Sequence, residues 1–236
     1  MKKITTGLAI AAIAFLFTSC EKVVGEGPVV TENRTVGNFN SLASSISGDV
    51  NYTRGPENKV EIKAQQNIIN VIEARIIGNE LIIKIRDGVK LKRHEDITVN
   101  VTSPSISGLR ISGSGNLNAD IAETTGMSMA LSGSGNITLS KLAASSLDAA
   151  ISGSGNITVS DGSADDVHFK ISGSGNIDAR NVSAQNLSTI TSGSGEMHVN
   201  AEKKLDVTIS GSGSVYYTGT PVVNTKISGS GKVLQQ

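Results

Sequence analysis

From residue 105 onward, apolar and polar positions alternate with period two, in short runs that recur about every 20 residues. Before each Gly-rich corner the apolar set is Met127, Met129 and Leu131, then Leu147, Ala149 and Ile151, then Val167, Phe169 and Ile171. Later copies give Leu205, Val207 and Ile209, then Val223, Thr225 and Ile227. The positions between are mostly polar or small, such as Asp148, His168 and Lys170. After the corner a second short run alternates, with Leu117 and Ala119, Ile137 and Leu139, Ile157 and Val159, Ile177 and Ala179, Met197 and Val199, and Val215 and Tyr217 on one face. Period two with one apolar face predicts strands, each burying one side. One copy departs: Leu187, Thr189 and Thr191 take the inward phase while Ile190 points out. That coil is expected to pack least well.

The corner is Ser-Gly-Ser-Gly, beginning at Ser112, Ser132, Ser152, Ser172, Ser192, Ser210 and Ser228. A near-fixed period with Gly-rich corners and β-formers between them predicts a solenoid. At about 4.8 Å per strand, the six steps between these corners span about 29 Å. Gly supplies positive φ or close backbone approach at the corner. Asn116, Asn136, Asn156 and Asn176 recur at one phase and are expected to stack as a hydrogen-bonded ladder. The ladder stops where Glu196, Ser214 and Lys232 replace Asn.

The N-terminal half is less regular. Ile46-Ser-Gly-Asp-Val50 reads as a worn copy of the corner. Strand runs follow at Lys59 to Ala64, Val71 to Ile77, Leu81 to Ile85 and Ile97 to Val101, with turn signals at Gly78-Asn79 and Asp87-Gly88. Residues 29–105 are expected to form the first coils and a capping hairpin; residues 106–236 form the regular repeat. An open solenoid end is a sheet edge, and Lys232 to Gln236 is a thin cap. Self-association there, or a flap from the N-terminal region, is therefore expected.

The first twenty residues read as an address. Met1-Lys2-Lys3 precedes an apolar run from Gly7 to Phe17 and then Thr18-Ser19-Cys20, the pattern of a signal peptide. The run is too short to span a bilayer as an anchor. Leu16 to Cys20 resembles a bacterial lipobox, with Phe17 where Leu is usual. The chain's one Cys sits where lipidation requires it, which favours lipidation over plain secretory cleavage. Removal of residues 1–19 leaves Cys20 as the acyl carrier, and more than one chain makes such anchoring stable. Residues 20–28 read as a tether and 29–236 as the folded domain.

Composition narrows the chemistry. Basic and acidic residues balance at 21 each, which argues against a nucleic-acid partner. A single Cys excludes a disulfide framework and a Cys-based zinc site. Aromatics are 3% with no Trp, so the core must be Ile, Val, Leu and Ala, and aromatic sugar platforms are scarce. A calcium β-roll needs an Asp in each turn, where this chain has Ser and Asn. Gly229-Ser-Gly-Lys232 lacks the first Gly of a phosphate loop, and Val233 replaces its Ser/Thr. His94, His168 and His198 show no metal-ligand spacing, and His168 is outward in phase. Asp161, Asp165 and Asp166 cluster in one loop, with Asp165 and Asp166 expected to diverge. A glycosidase needs two carboxylates across a cleft, so a solvated loop is the preferred reading. Leu91 to Asp96 reads as a solvated tip, and no GxSxG elbow occurs. No catalytic, cofactor-binding or metal residue is expected.

At the corners, Gly135-Asn136-Ile137, Gly155-Asn156-Ile157 and Gly175-Asn176-Ile177 resemble the GIN-domain family (DUF2807), head domains of autotransporter adhesins. Arg34 to Phe39, Ile46 to Val50 and Leu81 to Ile85 extend the resemblance over about residues 30–236. Gly115-Asn116-Leu117, Glu196-Met197, Ser214-Val215 and Lys232-Val233 depart from it. The resemblance implies an all-β, right-handed parallel β-helix of a Bacteroidetes-type secreted lipoprotein, with no established chemistry. The expected function is a non-catalytic, lipid-anchored envelope module for adhesion or ligand binding. The alternatives are a structural periplasmic lipoprotein that self-associates and, less favoured, a carbohydrate-active β-helix enzyme. Expected partners are the membrane, through the anchor on the outer membrane, a glycan or protein ligand, and a second copy through coil ends or a flat face. Whether the chain faces the periplasm or the outside is left open.

Overall fold

The computed structural model describes residues 21–236, so the expected signal peptide, residues 1–19, and Cys20 lie outside the described residues. The strands of the first half are β1 (Glu21–Val23), β2 (Val29–Thr35), β3 (Ser41–Ser44), β4 (Asp49–Arg54) and β5 (Lys59–Gln65). A four-residue helix follows, α1 (Gln66–Ile69), then β6 (Ile72–Ile77), β7 (Glu80–Ile85), β8 (Val89–Leu91) and β9 (Thr98–Ser103). The repeat comprises β10 (Gly108–Gly113), β11 (Asn116–Gly133), β12 (Asn136–Gly153), β13 (Asn156–Val159) and β14 (Gly162–Gly173). It continues with β15 (Asn176–Gly193), β16 (Glu196–Gly211), β17 (Ser214–Thr218), β18 (Val222–Gly229) and β19 (Lys232–Gln235).

From residue 108 the chain is a β-solenoid of coils about 20 residues long. Each coil pairs in parallel with the next, so that Asn116 lies beside Asn136, Met127 beside Leu147 and Leu131 beside Ile151; only between β15 and β16 does the register shift, at Ala179/Ser183 and Ala184/Asn186. The alternation places the core as expected, with Met127, Leu131, Ile151, Phe169 and Ile171 buried. Each coil also has a third paired stretch, such as Ile121–Thr124 beside Lys141–Ala144. Its inward residues, Ala122, Leu142, Ala164 and Ala201, are mostly small, too weak a signal to be read from alternation. The aberrant coil behaves as its sequence requires. Thr189 and Thr191 are buried with their hydroxyls unpartnered among the described residues, while Ile190 is 43% exposed.

The corners show why Gly recurs. The N–H groups of Ser154 and Gly155 both donate to the Gly133 carbonyl, at 2.9 and 3.1 Å. Gly153 has φ 137, and a Cβ there would sit 2.3 Å from Gly133 O. Positive φ and contact with the coil below each exclude a side chain.

The N-terminal half does not stack in chain order. Strand β3 lies in parallel between β7 and β10, and β4 in parallel between β9 and β11. Residues 41–54 are thus the coil next to the repeat, and residues 80–103 form the coil beyond it. Asp49 stands beside Asn116, the place its worn-corner sequence implies. Beyond these coils the pairing turns antiparallel: β5 on β9, β2 on β5, and β6 on β7 across Gly78-Asn79. The β6–β7 pair is the expected hairpin. Helix α1 buries Ile68 and Ile69 at this end.

The segment read as a tether is held against the domain. Strand β1 pairs in parallel with β8, so Leu91, expected in a solvated tip, belongs to a short sheet. Gly25 N–H donates to Arg93 O at 2.8 Å, and Asn67 Nδ2 to Val24 O at 2.6 Å. Among the described residues no flap from the N-terminal region covers the C-terminal end. The N-terminal residues it would need are committed to the other end, and the last coil leaves Val222, Ile227 and Leu234 exposed.

Candidate functional site

One side of the rod carries the first stretch of every coil, and its outward side chains form rows along the axis. Asn136 Nδ2 donates to Asn116 Oδ1 at 2.9 Å, Asn156 to Asn136 at 3.0 Å and Asn176 to Asn156 at 3.1 Å. Asn116 Nδ2 continues the row to Asp49 Oδ1 at 2.9 Å, and Glu196 N–H donates to Asn176 Oδ1 at 2.9 Å. The series therefore runs across six coils. Where Asn gives way to Glu196, a backbone N–H takes over as donor.

A second row runs beside it, two residues further along each strand. Asn118 Nδ2 donates to Asn51 Oδ1 at 3.1 Å, Asn51 to Asn100 at 3.1 Å, and Asn100 to Glu61 Oε1 at 3.0 Å. Register extends this row through Thr138, Thr158, Asp178, His198 and Tyr216. Sequence reasoning missed it, because Glu61, Asn51 and Asn100 meet only through the out-of-order stacking. One signal was available: Asp49 and Asn51, like Asn116 and Asn118, are two apart and share a strand face.

Between and around the rows lies a groove of about 690 Å³, lined by Asn116, Asn136, Asn156, Asn176, Asp178 and His198 among others. An Asn side chain has two donor hydrogens and two acceptor lone pairs. Within the ladder Asn136 and Asn156 each use one of each, leaving one donor and one acceptor per coil. The array can pair with groups that both give and take hydrogen bonds.

One end of the groove is charged. Arg180 donates to Asp178 through Nε at 2.9 Å and through a terminal nitrogen at 2.8 Å. Partial burial pushes the Asp178 pKa up, but the Arg180 side-chain and backbone hydrogen bonds and the Arg180 and His198 charges outweigh it. The carboxyl ends up below its ordinary value. The His198 and Tyr216 rings stack with centroids 4.8 Å apart and planes 10° from parallel. That spacing is the coil spacing, so the rings face along the rod axis. His198 Nδ1 is buried without a partner among the described residues.

The remaining candidates do not converge. Asp161, Asp165, Asp166 and His168 are exposed. The expected divergence of Asp165 and Asp166 does not occur, since both face solvent, and Asn186 Nδ2 donates to Asp166 at 3.0 Å. His94 contacts its neighbour, Nδ1 lying 2.6 Å from Glu95 O. No group of three or more His, Cys, Asp or Glu suited to a metal occurs among the described residues. A second trough, of about 570 Å³, lies on another side over Ala130 and Ala150, between Arg110 and Lys170; Arg110 is paired with Glu80.

The family described as "Putative auto-transporter adhesin, head GIN domain" matches residues 38–221. No curated protein matches. Among solved structures, a putative adhesin from Bacteroides fragilis NCTC 9343 is 23% identical, covering 91% of this chain and 100% of its own, with a TM-score of 0.84. A putative adhesin from Parabacteroides distasonis ATCC 8503 is 23% identical, covering 92% and 100%, with a TM-score of 0.71. A structure from the same organism, described as a putative lipid binding protein, is 23% identical, covering 92% and 100%, with a TM-score of 0.74. At this identity the likeness shows a shared fold.

Proposed function

This chain belongs to the GIN-domain family of adhesin heads, and from that premise we propose that it is a non-catalytic, lipid-anchored binding module of the bacterial envelope. Its ligand surface is the amide-lined side of the rod. The observation that carries this reading is the pair of hydrogen-bonded rows along that side, with unused donors and acceptors facing a groove of about 690 Å³.

Asp178 is poorly suited to be the proton donor of a glycosidase. A glycosidase acid must hold its proton near neutral pH, which calls for a raised carboxyl pKa. Asp178 moves the other way: partial burial raises its pKa, but the Arg180 hydrogen bonds and nearby charges outweigh that and lower it. The outer-membrane anchor rests on the leader and on Cys20, which directly precedes the docked strand β1. Two acyl chains would hold the rod by its N-terminal end.

The test is made on intact cells. The mass of the N-terminal peptide reads acylation of Cys20, and added protease reads exposure. An acylated peptide and degradation of the chain, with a periplasmic control spared, support a surface adhesion module. Protection that ends only when the outer membrane is opened, in a chain that protease cleaves once purified, overturns adhesion and leaves a periplasmic structural role. An unmodified Cys20 overturns the anchor.

A further inference from the structure

The two ends of the rod differ in kind. At the N-terminal end α1 buries Ile68 and Ile69. The outermost strands there carry charge: Glu32 and Arg34 on β2, Glu73 and Arg75 on β6. Charged edges resist pairing with another chain. Among the described residues the C-terminal end has no covering helix, and its edge strands β18 and β19 carry a single lysine each, Lys226 and Lys232. Strand β18 runs eight residues, VVNTKISG, with Lys226 its one charge. It pairs with β16 on one side, and among the described residues nothing pairs with the other. Val222 is 69% exposed, Ile227 43% and Leu234 41%, and Val223 and Val233 are only partly buried. With the leader removed as proposed, only Cys20 precedes Glu21, which is paired at the opposite end.

We infer that the cover is a second copy of this chain, docked end to end by antiparallel pairing of β18 with its counterpart across a two-fold axis. The strand's own pattern selects the register. Inward residues must oppose inward residues, because a one-residue slip turns every side chain to the wrong face. Centring the pair on Thr225 sets Val223 against Ile227 and Asn224 against Lys226. Centring it on Lys226 opposes two like charges, which destabilises a cross-strand pair. Centring it on Ile227 runs Val223 off the partner's strand onto Gly231. The Thr225 register joins apolar to apolar and gives each lysine an amide neighbour. The contact is isologous and closes at two copies.

This geometry deepens the adhesive reading and, in one respect, rests on it. With the anchor at the N-terminal end and the contact at the other, the two anchors lie at opposite poles. They are roughly 100 Å apart for two rods of about ten strand steps each. Such a pair links two facing membranes: the partner is the same protein on the opposing surface.

The experiment uses the mature chain carrying Cys20→Ser. Sedimentation equilibrium is expected to show a monomer–dimer equilibrium, weakened roughly tenfold or more by Ile227→Lys, as for loss of an interface anchor. Thr225→Cys is expected to give a disulfide-linked dimer on a non-reducing gel, and Val29→Cys at the other end is not. Circular dichroism verifies that each variant is folded. The acylated chain in phosphatidylcholine vesicles is then expected to cluster them, and acylated Ile227→Lys is not. A single monomer mass at all concentrations, or dimers indifferent to Ile227→Lys, overturns the contact. Dimers in solution without vesicle clustering overturn the bridging role. Acylation of Cys20, read by mass spectrometry, separates failure of the anchor from failure of the contact.

Discussion

Asn156 Nδ2 donates to Asn136 Oδ1 at 3.0 Å, joining side chains 20 residues apart in sequence and one coil apart in space. Asn156 also accepts from Asn176 Nδ2 at 3.1 Å. Asn156→Ala removes both bonds from an exposed face, where water replaces part of the loss. The expected cost is about 1 kcal/mol, read as a lower denaturant midpoint at unchanged slope. A neutral substitution would mean that the ladder contributes no stability.

Thr191 and Thr189 offer the opposite case. Each buries a hydroxyl with no hydrogen-bond partner among the described residues; the neighbouring coils offer Ile171 and Ile209 beside Thr191, and Phe169 and Val207 beside Thr189. Thr191→Val keeps the shape and removes the stranded polar atom. It should stabilise by about 1 kcal/mol, measured by the same unfolding series. Destabilisation would reveal a partner for that hydroxyl.

Two glycines contrast a closed position with an open one. Gly153 combines φ 137 with a carbonyl 2.3 Å from where a Cβ would lie. Gly153→Ala should cost at least about 2 kcal/mol, since strain and contact both oppose it. Gly126 lies in a strand with ordinary φ, and its nearest obstacle is the Ser146 hydroxyl at 3.1 Å. Gly126→Ala should stay within about 1 kcal/mol of the parent, as thermal melts of the pair will show.

Acid should weaken the fold through its bonded carboxylates. The Lys204 hydrogen bond lowers the Asp206 pKa, and the Arg34 hydrogen bond lowers that of Glu32. Asp178 is lowered as well, its Arg180 bonds and the nearby charges overcoming partial burial. Each group is more acidic folded than unfolded. Its contribution is therefore present above the unfolded value and is lost as the pH falls through the folded one. The melting temperature should be steady near neutrality and drop below about pH 4. Arg180→Ala should raise the Asp178 pKa, visible by NMR titration, and flatten part of that drop.

Much of this was legible in the residues because a strand has only two faces. Met127, Met129 and Leu131 could point in together only if Ser128 and Ala130 pointed out, and the Ser-Gly-Ser-Gly corners fixed where each coil turned. The period then set Asn116, Asn136, Asn156 and Asn176 one above another. Even the fault at Thr189 and Thr191 showed as a reversed phase. The second row was not legible, since Asn51, Asn100 and Glu61 follow no common spacing.

The sequence by itself therefore determined the coil, its buried face and the stack of asparagines. Tertiary structure alone decided which coil lies on which. Backbone hydrogen bonds between coils are blind to side-chain identity, so alternation in residues 41–54 selects the face they bury but not their neighbours. Only the closed fold sets them between residues 80–103 and the repeat, binds Glu21–Val23 to β8, and leaves β18 as an open edge among the described residues.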